Sequence, residues 1–179
     1  MSTTMKAKTK KANTKYDAAK KKFTGQRKYI AKNDAYQFDI FDDEWKLSSG
    51  NPLKLEPLNE INYTDDQFVD VRRVLAEAAT YLVPSTVEKH VYSLRYIGKA
   101  LNEHPLTVLW PTLSAAQQRT CSSAAALMVR EGVHFFKPLQ ETIKELGFKD
   151  KVFDPFDPLK GAYSEAEYNS ITEQFRLET

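Results

Sequence analysis

Apolar residues recur at three- and four-residue steps through the middle of the chain, which is the spacing of one face of an α-helix. One run covers residues 68–82 and follows Thr-Asp-Asp-Gln at 64–67, which has the form of a capping box. A second run covers 87–101 and follows Ser-Thr-Val-Glu at 85–88, which has the same form. The pattern predicts two amphipathic helices, the first stopped by Pro84.

Two more capping-box sequences lie further along the chain. Ser-Ala-Ala-Gln at 114–117 predicts a helix to about Glu131, and the apolar spacing resumes over 135–146, with Pro138 inside it. A proline inside a helical pattern predicts a kink or a fresh helix start. Ser-Glu-Ala-Glu at 164–167 predicts a last short helix.

Before these helices the pattern changes to a period of two, with Tyr36, Phe38 and Ile40 alternating with polar residues, which predicts a short strand. A turn over 42–44 and a loop rich in Ser, Gly and Pro follow. The fold class predicted is mainly α: a four- to five-helix bundle preceded by a short extended segment and a disordered basic arm.

These patterns predict that the chain has five parts. They are a mobile basic arm over 1–32, an extended segment over 33–62, a helical domain over 63–148, a linker strap over 149–163 and the start of a following domain over 164–179. The Lys-rich start has too little to bury to repay the entropy of folding. The proline-rich, aromatic strap is expected to cover a surface.

The formal net charge of +2 conceals an asymmetry. Residues 1–32 carry ten lysines and Arg27 against Asp17, a net of +10, whereas residues 33–179 carry 15 basic and 23 acidic side chains, a net of −8. Clustered lysines attract polyanions with a salt-sensitive affinity that has no sequence preference. A solvated tail without a partner is the other interpretation of this arm.

Several classes of protein are disfavoured by composition. The longest apolar run, 124–129, is six residues, where a membrane span needs about 20, and the N-terminus has no apolar stretch for a secretory signal. One cysteine among three scattered histidines gives neither a disulfide framework nor metal-ligand spacing. There is no Gly-rich phosphate loop or Gly-x-Ser-x-Gly elbow. We therefore expect a cytoplasmic protein with no membrane partner, metal, cofactor or small-molecule substrate.

The helical wheel shows which side chains remain once the apolar faces are assigned to the core. The predicted helix over 85–103 leaves Ser85, Lys89, Tyr92, Tyr96 and Lys99, with Ser93 and Arg95 at the borders. The predicted helix over 114–131 leaves Arg119, Ser122, Ser123 and Arg130, with Ala126 among them.

Basic groups on such faces can neutralise phosphates, hydroxyl and aromatic groups can contact groove edges, and small side chains allow close approach. The alternatives are a solvated face whose tyrosines pack on a neighbouring segment, and a small-residue stripe that packs on another helix. Two such faces beside a Lys-rich arm favour binding of double-stranded DNA.

The order of these features over residues 41–179 resembles the tyrosine recombinases, or phage-type integrases. The residues that carry the resemblance are FDDEWKL at 41–47, LNEINY at 58–63, PSTVEKHVYSLRYI at 84–97, the second helical pair up to Gly147, FDPFDPLK at 153–160 and YSEAEY at 163–168. They are similar to the opening of a core-binding domain, and to the strap and first helix that lead into a catalytic domain.

The resemblance implies a SAM-like core-binding bundle that forms half of a clamp around duplex DNA, self-associates on it and faces the major groove with two helices. We identify these with the two faces above. In the family a separate domain cuts DNA through a tyrosine, aided by a His-x-x-Arg motif, and none of His90, His104 and His134 begins that motif. The chain is therefore expected to be the non-catalytic N-terminal portion of a recombinase that integrates or recombines DNA, as in a mobile element.

Two other functions remain open. One is a stand-alone helical accessory or regulatory protein that binds DNA and never had a catalytic domain. The other is a helical protein-interaction module whose acidic body binds a basic partner.

Overall fold

The computed structural model describes residues 15–33 and 35–149. This part of the chain is mainly helical, with seven α-helices and two small antiparallel sheets, which confirms the predicted fold class. The helices are α1 (Asp17–Lys22), α2 (Glu56–Asn59), α3 (Asp65–Ala79), α4 (Pro84–Asn102), α5 (Leu106–Leu109), α6 (Ala115–Arg130) and α7 (Lys137–Leu146). The strands are β1 (Lys28–Ile30), β2 (Gln37–Asp39), β3 (Glu44–Trp45) and β4 (Leu53–Lys54).

Each sheet is a two-stranded pair. β1 pairs with β2, with Tyr29 opposite Phe38, and β3 pairs with β4, with Trp45 opposite Leu53. All four of these side chains are buried. The alternation over 36–40 thus forms the predicted strand, and the ring of Phe38 belongs to the core.

Two of the predicted capping boxes are present. Thr64 Oγ1 accepts a hydrogen bond from the backbone N–H of Gln67 (3.3 Å), and Gln67 Oε1 accepts one from the N–H of Thr64 (3.0 Å). Ser114 and Gln117 form the same pair at the start of α6. These side chains satisfy backbone donors that the first helical turn leaves without partners.

The start of α4 differs from the prediction. α3 already ends at Ala79, and Pro84 is the first residue of α4, with Val83 at the N-cap and no side-chain cap. The capping box at 85–88 is therefore wrong. Proline is well suited to the first helical position because its φ is preset and the missing N–H would have no helical partner there.

Helix α7 begins afresh after α6, as the proline predicted. Gly132 has a φ of +89°, in the left-handed region that favours glycine, and a 3-10 turn over His134–Phe136 follows it. Pro138 then lies in the first turn of α7.

One hydrophobic cluster joins the helices to the extended segment. Trp45 and Leu55 from that segment are buried together with Phe68 of α3, Leu94 of α4 and Met128 of α6. Within the described residues, no helix is long and apolar enough to cross a membrane.

The expectation of a mobile arm over 1–32 is wrong for residues 15–32. Tyr16 is only 3% exposed; its ring stacks on Phe68 with centroids 3.8 Å apart, and its hydroxyl donates to the Ile61 carbonyl at 3.0 Å. These partners lie 45 and 52 residues further along the chain, so local composition could not reveal them. The rest of the arm, 1–14, and the strap and last helix from residue 150 onward lie outside the described residues.

Candidate nucleic-acid interface

Helix α4 presents the predicted polar face opposite its buried stripe. Val87 and Leu94 are fully buried, whereas Ser85, Lys89 and Tyr92 are exposed, Tyr92 to 42%. The 100° rotation per residue places these three exposed side chains within one sector of the helix.

The remaining predicted residues of α4 are less accessible. Tyr96 and Lys99 are half-buried, and Tyr96 packs against the core. Arg95 is also half-buried, and its Nε lies 2.8 Å from Glu60 Oε2, so its charge is balanced by a carboxylate.

Ser93 is not on the exposed face, which corrects the prediction. Its side chain is 3% exposed, and its carbonyl accepts a hydrogen bond from the Cys121 thiol at 3.8 Å. Ser93 is at the border of the polar face, and α6 packs against α4 along that border. A helical wheel cannot show which border a neighbouring helix will cover.

Helix α6 presents the predicted stripe of small and basic residues. Arg119, Ser123 and Arg130 are exposed and Ser122 is half-buried, while the opposite arc, which includes Cys121, is buried. Burial raises the pKa of Cys121 to about 11, so it is an un-ionised core thiol at neutral pH.

Both exposed arginines of α6 are positioned by neighbouring side chains. The Arg119 guanidinium carbon lies 5.8 Å from the centre of the Phe148 ring, within cation–π range. Arg130 donates from Nη2 to the Tyr81 hydroxyl (3.2 Å) and from Nε to Glu131 (2.9 Å). The hydrogen bond with Glu131 raises the pKa of Arg130, which remains charged.

A groove of about 310 Å³ lies between the exposed face of α4 and the first half of α6. It is lined by Ser85, Glu88, Lys89, Tyr92, Ser93 and Tyr96 from α4 and by Gln117 and Thr120 from α6. Sequence reasoning missed Glu88, Gln117 and Thr120 as part of this surface. The proximity of two helices is not encoded in the sequence of either helix alone.

Some side chains in the groove already form hydrogen bonds within the protein. Gln117 Oε1 accepts a hydrogen bond from the backbone N–H of Ser114 at 2.8 Å, and the Thr120 hydroxyl donates to the Gln117 carbonyl at 3.0 Å. By contrast, the side chains of Lys89 and Tyr92 form no hydrogen bond or ion pair within the described part of the chain. These two are available to a ligand without breaking an existing contact.

The described residues contain no group of three or more His, Cys, Asp and Glu side chains that could hold a metal ion. His90 is buried, and burial lowers its pKa below the usual value. Comparison with protein-family models, curated proteins and solved structures gives no match.

Proposed function

We propose that this chain binds duplex DNA through α4 and α6. The observation that carries the proposal is the exposed side of α4, where Lys89 and Tyr92 stand free of described partners beside a groove shared with α6. Arg119 adds a positive charge on the exposed face of α6, and Arg130 adds a second one that its pairing with Glu131 partly offsets.

Each of these groups suits a polyanionic duplex. Lysine and arginine that neutralise phosphates release condensed counterions, which supplies salt-dependent affinity. A tyrosine ring offers both a flat apolar surface and a hydroxyl to groove edges. The Arg95–Glu60 pair is partly exposed, and exposed pairs contribute at most about 1 kcal/mol, so Arg95 can be redirected to a phosphate at small cost.

We further propose that the DNA-binding face belongs to the N-terminal portion of a site-specific tyrosine recombinase. This part rests on the resemblance of residues 41–179 to that family. Reading the coding frame past Thr179 tests it: about 150–200 further residues (the size of one ordinary domain), with His-x-x-Arg and a late tyrosine, would support it. A stop codon directly after Thr179 would instead favour the stand-alone DNA-binding protein.

A duplex titration tests DNA binding itself. Lys89→Ala and Arg119→Ala should each weaken binding of a random-sequence duplex and lower the slope of log K against log[salt] by about 0.9, the value for one lost phosphate contact. Fluorescence anisotropy between about 50 and 200 mM salt measures both quantities. Lys144→Ala, which removes an exposed lysine from α7, is the matched control and should bind as wild type.

Unchanged affinity of both variants across the salt series would remove α4 and α6 from the interface. Absence of any salt-dependent duplex binding by the wild type would favour the third function, an interaction module for a basic protein.

A further inference from the structure

Glu88 is the one acidic residue of α4, and it stands on the exposed side of that helix. It lines the groove between α4 and α6, and also a neighbouring depression of about 360 Å³ that is bounded by the loop over 47–53. The carboxylate therefore lies on the surface proposed to meet DNA, at one edge of the sector that holds Ser85, Lys89 and Tyr92.

No neighbour on its own helix offsets this negative charge. Side chains meet on a helix at three- and four-residue steps, and at those steps Glu88 has Pro84, Ser85, Val91 and Tyr92, none of them basic. Lys89 is adjacent in sequence but points about 100° away around the helix. Within the described residues, Glu88 also has no side-chain hydrogen bond or ion pair.

A free carboxylate opposes binding to phosphates, because two like charges within a Debye length, about 8 Å at physiological salt, repel each other. Repulsion becomes attraction where the carboxylate faces a hydrogen-bond donor. In the major groove the donors on the base edges are the amino groups of cytosine and adenine. Adenine suits an amide, which both donates and accepts, whereas cytosine N4 suits a carboxylate, which only accepts.

We infer that Glu88 is a specificity-determining residue that accepts a hydrogen bond from the amino group of cytosine in the major groove. This inference rests on the proposed DNA binding. Lys89 points about 100° away around the helix and is free to contact an adjacent phosphate. A carboxylate that accepts from cytosine N4 selects a G·C pair.

The experiment compares the wild type with Glu88→Gln on a pool of duplexes with a randomised centre, selected for binding near physiological salt. Glu145→Gln removes the same charge from an exposed position on α7 and serves as the matched control. The best duplex for the wild type is then resynthesised with each of the four base pairs at every selected position. Circular dichroism and the urea midpoint establish that the three proteins are equally folded.

We expect the wild type and Glu145→Gln to prefer G·C at one selected position or more, with replacement of that pair weakening binding on the order of tenfold. Glu88→Gln should lose this preference at one such position, while its affinity for unselected duplex stays equal or rises because a negative charge is gone. A preference that survives in Glu88→Gln would overturn the inference, as would its loss in Glu145→Gln. A wild type that binds duplex without any base preference would overturn the inference and leave DNA binding standing, whereas a wild type that binds no duplex would remove both.

Discussion

Arg72 of α3 is a charged residue inside the hydrophobic core. It is 1% exposed, and its Nη1 donates to the carbonyls of Ile40 and Asp42, both at 2.8 Å. Its guanidinium lies 4.9 Å from the centre of the Phe68 ring. Burial lowers the pKa of Arg72 to about 10, against the opposing effect of nearby acids led by Asp43, so the side chain is still charged at neutral pH. Arg72 thus ties the chain after β2 to α3.

Replacing Arg72 by methionine should destabilise the fold by about 3 kcal/mol, because two carbonyls lose their donor while most of the side-chain volume is retained. Urea unfolding followed by circular dichroism measures the loss. Arg73→Met is the control: Arg73 pairs with Glu77 on the half-exposed side of the same helix, and such pairs contribute about 0.5 kcal/mol or less. Equal losses in the two variants would contradict a special role for the buried guanidinium.

His90 should make stability depend on pH. The side chain is 8% exposed, its Nδ1 has no described partner, and burial lowers its pKa below 6.5. Below about pH 6.5 the unfolded chain therefore takes up a proton that the folded chain resists, so the free energy of unfolding should fall as pH decreases from that value toward the folded-state pKa. The slope of unfolding free energy between about pH 7.5 and 5.5 should be smaller in His90→Gln, and identical slopes in the two proteins would refute this assignment.

At the scale of helices, the starts of α3 and α6 depend on side-chain caps, whereas the start of α4 depends on proline. Thr64 and Ser114 each bond to the residue three positions on, and Ser85 does not. The same four-residue pattern is therefore a cap at two sites and an ordinary first turn at the third. The difference lies in where the preceding residues place the helix boundary.

Thr64→Ala and Ser114→Ala should each lower the free energy of unfolding by about 1 kcal/mol, because each removes an acceptor for an otherwise unpaired backbone N–H. Ser85→Ala serves as the comparison and should change stability by less than about 0.5 kcal/mol, the usual range for a surface substitution. Thermal or urea unfolding distinguishes the three. A loss at Ser85 as large as at Thr64 would show that α4 is capped by Ser85 after all.

At the scale of the whole molecule, the basic N-terminal region has two different parts. Residues 1–14 contain four lysines, while the following stretch contributes Tyr16 and Ala19 to the core. A deletion of residues 1–14 therefore removes positive charge without removing core residues, whereas a deletion that extends past Ala19 removes both.

Deleting residues 1–14 should weaken duplex binding to a similar degree for all sequences and reduce the salt slope by up to about 3.6, since lysines that contact phosphates carry no base information. Anisotropy titrations with two unrelated duplexes measure this. Deleting 1–22 should additionally lower the unfolding midpoint, because Tyr16 and Ala19 leave the core. A change in base preference on deleting 1–14 would mean that this stretch reads sequence.

Sequence patterns predicted local features best, where the physics is itself local. The helical periodicity, two capping boxes and the proline that opens α7 each depend on residues within one or two turns. Other features depend on neighbours that are distant along the chain. They are the burial of Ser93, the ion pair between Arg95 and Glu60, and the position of Glu88 in the groove. For the candidate interface, the sequence predicted which helices carry basic faces, and the structure selected which side chains on them are exposed.

The sequence by itself determined the mainly helical class, because amphipathic spacing and helix caps act over a few residues. Only the tertiary structure decided that the extended segment and residues 15–32 share one core with the helices, because those contacts join residues dozens of positions apart. The same holds for the groove between α4 and α6. The sequence of each helix predicts its own exposed face, but the two faces lie side by side only because the apolar stripes of the two helices pack together.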